Sequence, residues 1–312
     1  MTIKQNLTID DIARELGVSK TTVSRAISGK GRISLATRQR VQEYIEQCNY
    51  RPSAAAKGLA ESKTYNLALV LPRSFINLVY LSTDGTIAPL LRILDNRKVD
   101  GVILSCTVDN DQLVDILHRR GIPFATMGSL PAGSRGRAVV EADHDQVDDC
   151  RAFAMEFLRN RDEKTAVLGN DMNYIVNQSR LTGIRQAMKA QDYPADMMEF
   201  HLDLKTNDLI YQALDGILAK GIRKLLVMDD GVSVNAITHL RHLGLRIPQD
   251  IRIASLYDSD QLANHIPPIS ALQFDASDLG RVTCRELLHC LRDEEYDAKP
   301  ELGYRIIHRE ST

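Results

Sequence analysis

Apolar positions recur at helical spacing through the first fifty residues and then gather into short continuous runs. Ile9, Ile12, Ala13 and Leu16 share one helical face. Thr8 stands at the N-cap position, with Asp11 three residues on as its capping-box partner. Gly17 ends that helix and Val18 packs in the turn. Ser19 caps a second helix, Lys20 to about Ser28, whose inward side is Val23 and Ile27. Gly29-Lys30-Gly31 forms a loop, and a third helix from near Ser34 buries Val41, Tyr44, Ile45 and Cys48. From Tyr65 the pattern changes. Buried strands are predicted at 67–71, 99–104, 124–127, 165–168, 224–228 and 252–256, with a strandlike run at 304–308. Helices are predicted at 112–120, about 145–159, 180–191 and 233–243. Strands alternating with amphipathic helices imply parallel sheets with crossover helices. The predicted fold is an N-terminal all-α helix-turn-helix domain followed by an α/β body of two doubly wound lobes sharing a cleft.

The composition adds limits. With 44% hydrophobic and 26% charged residues, the 312-residue chain reads as globular and long enough for two or three units. It has no apolar run of membrane-spanning length and no signal-peptide stretch near Met1. Five scattered cysteines without a Cys-x-x-Cys read as reduced thiols, which places the chain in the cytoplasm. Charge is uneven: residues 1–63 hold 11 Lys/Arg against 6 Asp/Glu, while the whole chain is −2. A basic head on an acidic body suggests that the head meets a polyanion.

A helix, a Gly-containing turn and a second helix form the arrangement that presents a helix to the DNA major groove. The outward face of the second helix carries Lys20, Thr21, Ser24 and Arg25, groups suited to guanine edges, thymine methyls and phosphates. The plainer reading is a three-helix bundle with a polar face. The run Thr8-Ile9-Asp10-Asp11-Ile12-Ala13-Arg14-Glu15-Leu16-Gly17-Val18-Ser19-Lys20-Thr21-Thr22-Val23-Ser24-Arg25-Ala26-Ile27, continued by Ser34, Thr37, Arg38, Val41 and Asn49-Tyr50-Arg51-Pro52, resembles the head of the lactose/galactose-repressor (LacI/GalR) family. By that resemblance Lys20, Thr21 and Arg25 read bases, while Ser19, Thr22, Ser24 and Asn49 hold the phosphate backbone, with Thr8 also at the DNA. The resemblance further implies that residues 53–63, too short for a stable isolated helix, pair as hinge helices in the minor groove. Ala56 and Leu59 lie in that segment, Leu59 matching the family's wedging leucine; the bland alternative is a flexible linker.

The resemblance extends over the body through Val99-Asp100-Gly101-Val102-Ile103, Gly121-Ile122-Pro123, Leu243-Gly244-Leu245-Arg246-Ile247-Pro248 and Pro267-Pro268-Ile269. It implies a periplasmic-binding-protein-like body whose chain crosses between lobes near Ala142, Gln273 and Lys299. The units are then a head at 1–52, a hinge at 53–63, a first lobe at 64–141 plus about 274–298, and a second at 142–273 plus about 299–312. In open α/β sheets ligands collect at the strands' carboxyl ends, where Arg180, Asp229, Asp230 and Asp258 fall. Carboxylates accept from vicinal hydroxyls and a guanidinium donates in a fork, so the set suits a polyhydroxylated, sugar-like effector better than a dianion. These positions match the family's effector-binding ones, with Gln273 a further match. The competing reading is that the charges cap helices, Asp230 above all.

One departure stands out. Only residues 72–77 separate the first body strand from the strandlike run 78–81, although a parallel pair needs a crossover of about a dozen residues. The family carries a cleft loop and a helix there. Either they are deleted, or they exist between Ile76 and Asn77 and the numbering closes over them; the second is preferred.

No nucleophile elbow, phosphate loop or His-Glu-x-x-His occurs, and His239 and His242 read as surface histidines. Neither a cofactor nor a metal is called for, and no enzyme activity. The reading is a sequence-specific DNA-binding regulator, a repressor of a carbohydrate-utilisation operon, acting as a homodimer on palindromic double-stranded operator DNA and relieved by a small-molecule effector. A solute-binding or enzymatic body carrying a DNA-binding head is the alternative.

Overall fold

A computed structural model describes residues 8–28, 31–48, 50, 64, 66–70, 88–96, 98–160 and 163–312. The chain divides into two compact units, residues 1–65 and 66–312. In the first, α1 (Ile9–Leu16), α2 (Lys20–Ser28) and α3 (Leu35–Gln47) surround Ile12, Ala13, Val23, Ala26 and Val41. Both halves of the capping box form at α1: the Asp11 N–H donates to Thr8 Oγ1 at 3.3 Å, and the Thr8 N–H donates to Asp11 Oδ2 at 3.0 Å. Gly17 closes α1 at φ 63°, a left-handed conformation that a side chain resists. Tyr44 and Ile45 are half-buried, but Cys48 is exposed, against expectation. It is the C-cap of α3, still helical at φ −88° and ψ −1°, so it stays beside Tyr44 on that face but is left uncovered at the helix end. Asn49, Ala56, Leu59 and the hinge 53–63 lie outside the described residues.

The body contains two sheets. The first runs in the order β1 (Leu67–Val70), β2 (Gly101–Leu104), β3 (Phe124–Met127), β4 (Val140–His144) and β10 (Glu301–Leu302), all parallel. The second runs β11 (Tyr304–Ile307), β9 (Ser270–Phe274), β8 (Arg252–Ser255), β7 (Lys224–Val227), β5 (Thr165–Leu168) and β6 (Met198–His201), parallel except for β11. The helices are α4 (Ala88–Asp95), α5 (Gln112–Arg119), α6 (Gln146–Phe157), α7 (Ile175–Ala190), α8 (Asn207–Ala219), α9 (Asp230–His242), α10 (Asp260–Ala263) and α11 (Ala276–Leu291). Strand alternation feeds two cores: in β7, Leu225 and Val227 join Leu214 and Leu240 on one face, while Leu226 meets Phe153, Ile184 and Leu272 on the other.

The chain passes between sheets after His144, after Phe274 and at Gly303. Ala142 lies inside β4 opposite Met127, Gln273 pairs with Arg305, and Lys299 precedes β10. Helix α7 begins at Ile175, five residues ahead of the predicted 180, because the polar Asn177, Gln178 and Ser179 ahead of Arg180 hide its first turn. Of the two expected surface histidines, His242 is exposed, whereas His239 is half-buried, bonding Asp215 at 2.8 Å and stacking on Tyr211 between α9 and α8.

The preference for an extra segment between Ile76 and Asn77 is overturned, since the 312-residue sequence is continuous there. The crossover requirement is met differently. The parallel neighbour of β1 is β2, with Leu67 opposite Gly101, reached through residues 71–100 and α4. The predicted strand at 78–81 lies outside the described residues.

Candidate nucleic-acid interface and effector cleft

Because α2 turns Val23, Ala26 and Ile27 inward, Lys20, Thr21, Ser24 and Arg25 fall on the opposite side and are all exposed. Ser19 stands at the helix entrance, its Oγ accepting from the Thr22 N–H at 3.1 Å and lying 2.8 Å from Thr22 Oγ1. No acid occupies the first turn of α2, so its unpaired N–H groups favour an anion such as phosphate. Lys20 Nζ meets Asp10 Oδ2 at 2.8 Å. Both side chains are exposed and such a pair is worth little, so Asp10 does not hold Lys20 in place. Arg25 lies along Gly31, its Cδ and Nε only 3.0 and 3.1 Å from where a Cβ would stand at φ 86°. Thr8 is engaged by its capping box, its hydroxyl 2.6 Å from Asp11 Oδ2.

In the body, the loop after β2 meets the start of α7 across the two lobes. Val108 and Tyr174 form an antiparallel bridge. The Asp109 N–H donates to the Asn173 carbonyl at 2.9 Å, and the Ile175 N–H to the Thr107 carbonyl at 3.1 Å. Near this closure Arg180 is 5% exposed. Its Nη1 donates to the Met228 carbonyl at 2.8 Å and its Nε to Gln146 Oε1 at 3.3 Å, with the guanidinium 5.4 Å from the Tyr257 ring centre. Asp229 is the N-cap of α9, its Oδ1 accepting from the Val232 N–H at 2.9 Å. Its Oδ2 is buried with no hydrogen-bond partner. Burial pushes the Asp229 carboxyl up, against the opposing charge of Arg180. Asp230, half-buried, sits in the first turn of α9.

Asp258 is arranged differently. Oδ1 accepts from Arg309 Nη1 at 2.7 Å and the Ser259 N–H at 3.0 Å; Oδ2 accepts from Arg309 Nη2 at 2.6 Å and Gln273 Nε2 at 3.3 Å. A carboxylate has about four acceptor sites, so this one is saturated by protein donors. The structure thus brings Arg180 towards Asp229, and Gln273 onto Asp258, while Arg309 occupies the latter carboxylate. Sequence reasoning passed over Arg309, Tyr257, Gln146 and Tyr174. Arg309 reaches Asp258 only through the antiparallel register of β11 on β9, which no local pattern encodes.

Comparisons with known proteins agree with the two-part architecture. Residues 8–53 match the model of bacterial regulatory proteins of the lacI family, and residues 154–312 match that of the periplasmic binding protein-like domain. The HTH-type transcriptional repressor PurR of Vibrio vulnificus (strain CMCP6) is 26% identical over 333 residues, covering 96% of this chain and 97% of the relative. That span exceeds the 312 residues available, so the relative carries positions without counterpart here. Catabolite control protein A of Streptococcus mutans is 27% identical over 326 residues, covering 96% of each. The fold is shared with the lac repressor dimer bound to operator and the anti-inducer ONPF (TM-score 0.78, 18% identity, 98% of this chain and 99% of that one). It is shared too with the CelR–cellobiose complex (TM-score 0.67, 23% identity, 98% and 100%).

A helix-turn-helix head ahead of a two-lobed binding-protein-like body defines a ligand-regulated, DNA-binding transcriptional repressor. The chain belongs to the lacI family of bacterial regulatory proteins.

Proposed function

We propose that this repressor acts in the cytoplasm as a homodimer on a palindromic operator, controls a carbohydrate-utilisation operon, and is relieved by a sugar-like effector. The observation that carries the DNA half is the exposed face of α2. In this reading Lys20, Thr21 and Arg25 read bases; Ser19, Thr22, Ser24 and Asn49 hold phosphates; Thr8 orients α1 at the backbone; and Ala56 and Leu59 enter the minor groove from the hinge. Residues 1–52 act as head and 53–63 as hinge, and the two lobes divide the rest.

Free hydrogen-bonding capacity in the cleft supports the effector half. The buried, unpartnered Oδ2 of Asp229 is an acceptor. Arg180 Nη2 makes no protein hydrogen bond among the described residues and is a donor, and Asp230 adds a second carboxylate. A donor beside acceptors suits vicinal hydroxyls. Asp258 and Gln273 act on the ligand from behind, through the Arg309 fork. The bridge between Val108 and Tyr174 favours a closed pair of lobes; an effector that prefers another lobe angle shifts that equilibrium, and with it the spacing of the two hinges. The body senses rather than transforms its ligand, so bound ligand should be recovered unchanged.

The test is selection of duplexes by the full chain from a random pool at moderate salt, followed by a thermal-shift screen of sugars, sugar phosphates and nucleosides. A palindromic consensus, and release of it by a hydroxylated ligand that also raises Tm, support the reading. Equal affinity for all duplexes with every ligand tried discards it.

A further inference from the structure

At the end of the second lobe where β7 and β8 begin, a cavity of about 530 Å³ lies between the C-terminal turn of α6 and the first residues of β7, β8 and β9. Its apolar wall is Phe153 and Phe157; its polar wall includes Glu156, Arg159, Lys224, Arg252 and His308. None of these belongs to the cleft or to the head.

Lys224 is the unusual group. It is the first residue of β7, in an otherwise apolar strand, and is only 3% exposed. Lysine is rarely buried so completely without a counter-charge. Its Nζ lies 4.9 Å from the Phe157 ring centre and 3.4 Å from the Asn160 carbonyl, and no carboxylate partners it among the described residues. Phe157 and Asn160 both line the cavity, so the ammonium is set in its wall. Burial draws the lysine down to about 8, leaving it mostly protonated at neutral pH.

The surroundings do not neutralise it. Glu163 is engaged by Arg252, and Glu156 by His308 at 3.4 Å. Arg159 has no ion-pair partner among the described residues. A second cavity of about 480 Å³ shares Lys224 and Arg252 and adds Lys164 and Arg223, together with Glu163 and with Asp250, which is paired with Arg246; the Arg223 guanidinium bonds the carbonyls of Leu218 and Ile222. Cations are therefore in excess here, on a body whose total charge is negative.

We propose that this cavity is a second ligand site, taking a small organic anion whose carboxylate or phosphate head meets Lys224 and Arg159 and whose apolar part lies on Phe153 and Phe157. The volume falls in the range of small-molecule sites, whose few polar groups fix orientation against apolar walls. An anion there supplies the counter-charge that the fold withholds from Lys224. A polar anion alone would leave the phenyl rings unused, and a neutral aromatic would leave the ammonium unpaired.

The experiment is calorimetric titration of the full-length protein with benzoate, phenyl phosphate, inorganic phosphate and benzyl alcohol, repeated on Lys224→Met and Phe157→Ala. Lys224→Met keeps the apolar stem and removes a buried unpaired charge, so its Tm should hold or rise. The proposal expects benzoate or phenyl phosphate to bind with Kd below about 1 mM, and benzyl alcohol and inorganic phosphate at least tenfold more weakly. It expects each substitution to weaken the better anion at least tenfold. Preference between benzoate and phenyl phosphate then names the head group. The proposal is overturned if neither binds, if inorganic phosphate or benzyl alcohol binds as well as they do, or if folded Lys224→Met binds with wild-type affinity.

Discussion

Arg309 grips Asp258 through both carboxylate oxygens, at 2.7 and 2.6 Å, with side chains 13% and 5% exposed. The pair ties the segment after β11 to the loop after β8, and Arg309 Nη1 also bonds the Ile269 carbonyl at 2.6 Å. Removing one member strands a buried charge, which typically costs about 3–5 kcal/mol. Arg309→Met should therefore lower the urea midpoint strongly. Adding Asp258→Asn to it should recover part of the loss, because the stranded charge is then gone. If the double substitution proves as unstable as the sum of the singles, the pair is not coupled.

The packing of α6 on α7 makes a sharper demand on one glycine. A Cβ on Gly183 would stand 2.5 Å from the Val147 carbonyl oxygen and 3.0 Å from Cys150 Cβ. Backbone cannot step aside as a flexible side chain can, so Gly183→Ala should destabilise the body by about 1–3 kcal/mol despite alanine's better helix propensity. Thermal unfolding of the variant checks this. An unchanged or higher Tm would mean that the two helices separate freely.

On the head, Arg25→Ala should weaken binding to the selected operator by about 1–3 kcal/mol and flatten base preference at one position of each half-site. Lys20→Ala should act similarly, since its only ion pair among the described residues, with Asp10, is exposed and easily exchanged. Fluorescence anisotropy against operator and scrambled duplexes separates the effects. A loss equal on both duplexes would assign Arg25 to phosphate contact.

What could be read from the sequence follows the range of the interactions. The head was legible almost to the residue, because Thr8, Gly17, Ser19 and Ser34 mark helix ends through contacts within a few positions. Buried strands such as Thr165–Leu168 announced themselves as apolar runs. Strand β4 did not, since Glu141 and Asp143 interrupt it and its burial alternates. The cleft was half legible: Asp229 follows a strand end, as the rule for open sheets requires, but the saturation of Asp258 depends on Arg309, fifty-one positions away. Lys224 looked like an ordinary strand-leading lysine, because nothing in its neighbours reveals that its environment is apolar and without a carboxylate.

The crossing from the first lobe to the second carries Asp143, Asp145, Asp148 and Asp149 within seven residues. Asp149 is 5% exposed and its Oδ2 has no hydrogen-bond partner. Burial, and then the charges of Asp145, Asp143 and Asp148, push it from 3.8 up to about 7. Burial likewise lifts Asp143 to about 6, against the hydrogen bond from Ser129. The native state thus holds protons that the unfolded chain releases near pH 4. Between those values the folded form binds more protons, so stability falls as pH rises. The contribution is complete below about pH 4 and is lost as pH passes through about 7. Asp149→Asn fixes the neutral form and removes this group's pH-dependent share, about 4 kcal/mol over the whole window. The variant's Tm relative to the natural protein should rise steadily from pH 5 to pH 8, measured in matched buffers. A Tm difference that stays constant across that range would show that Asp149 remains ionised in the folded protein.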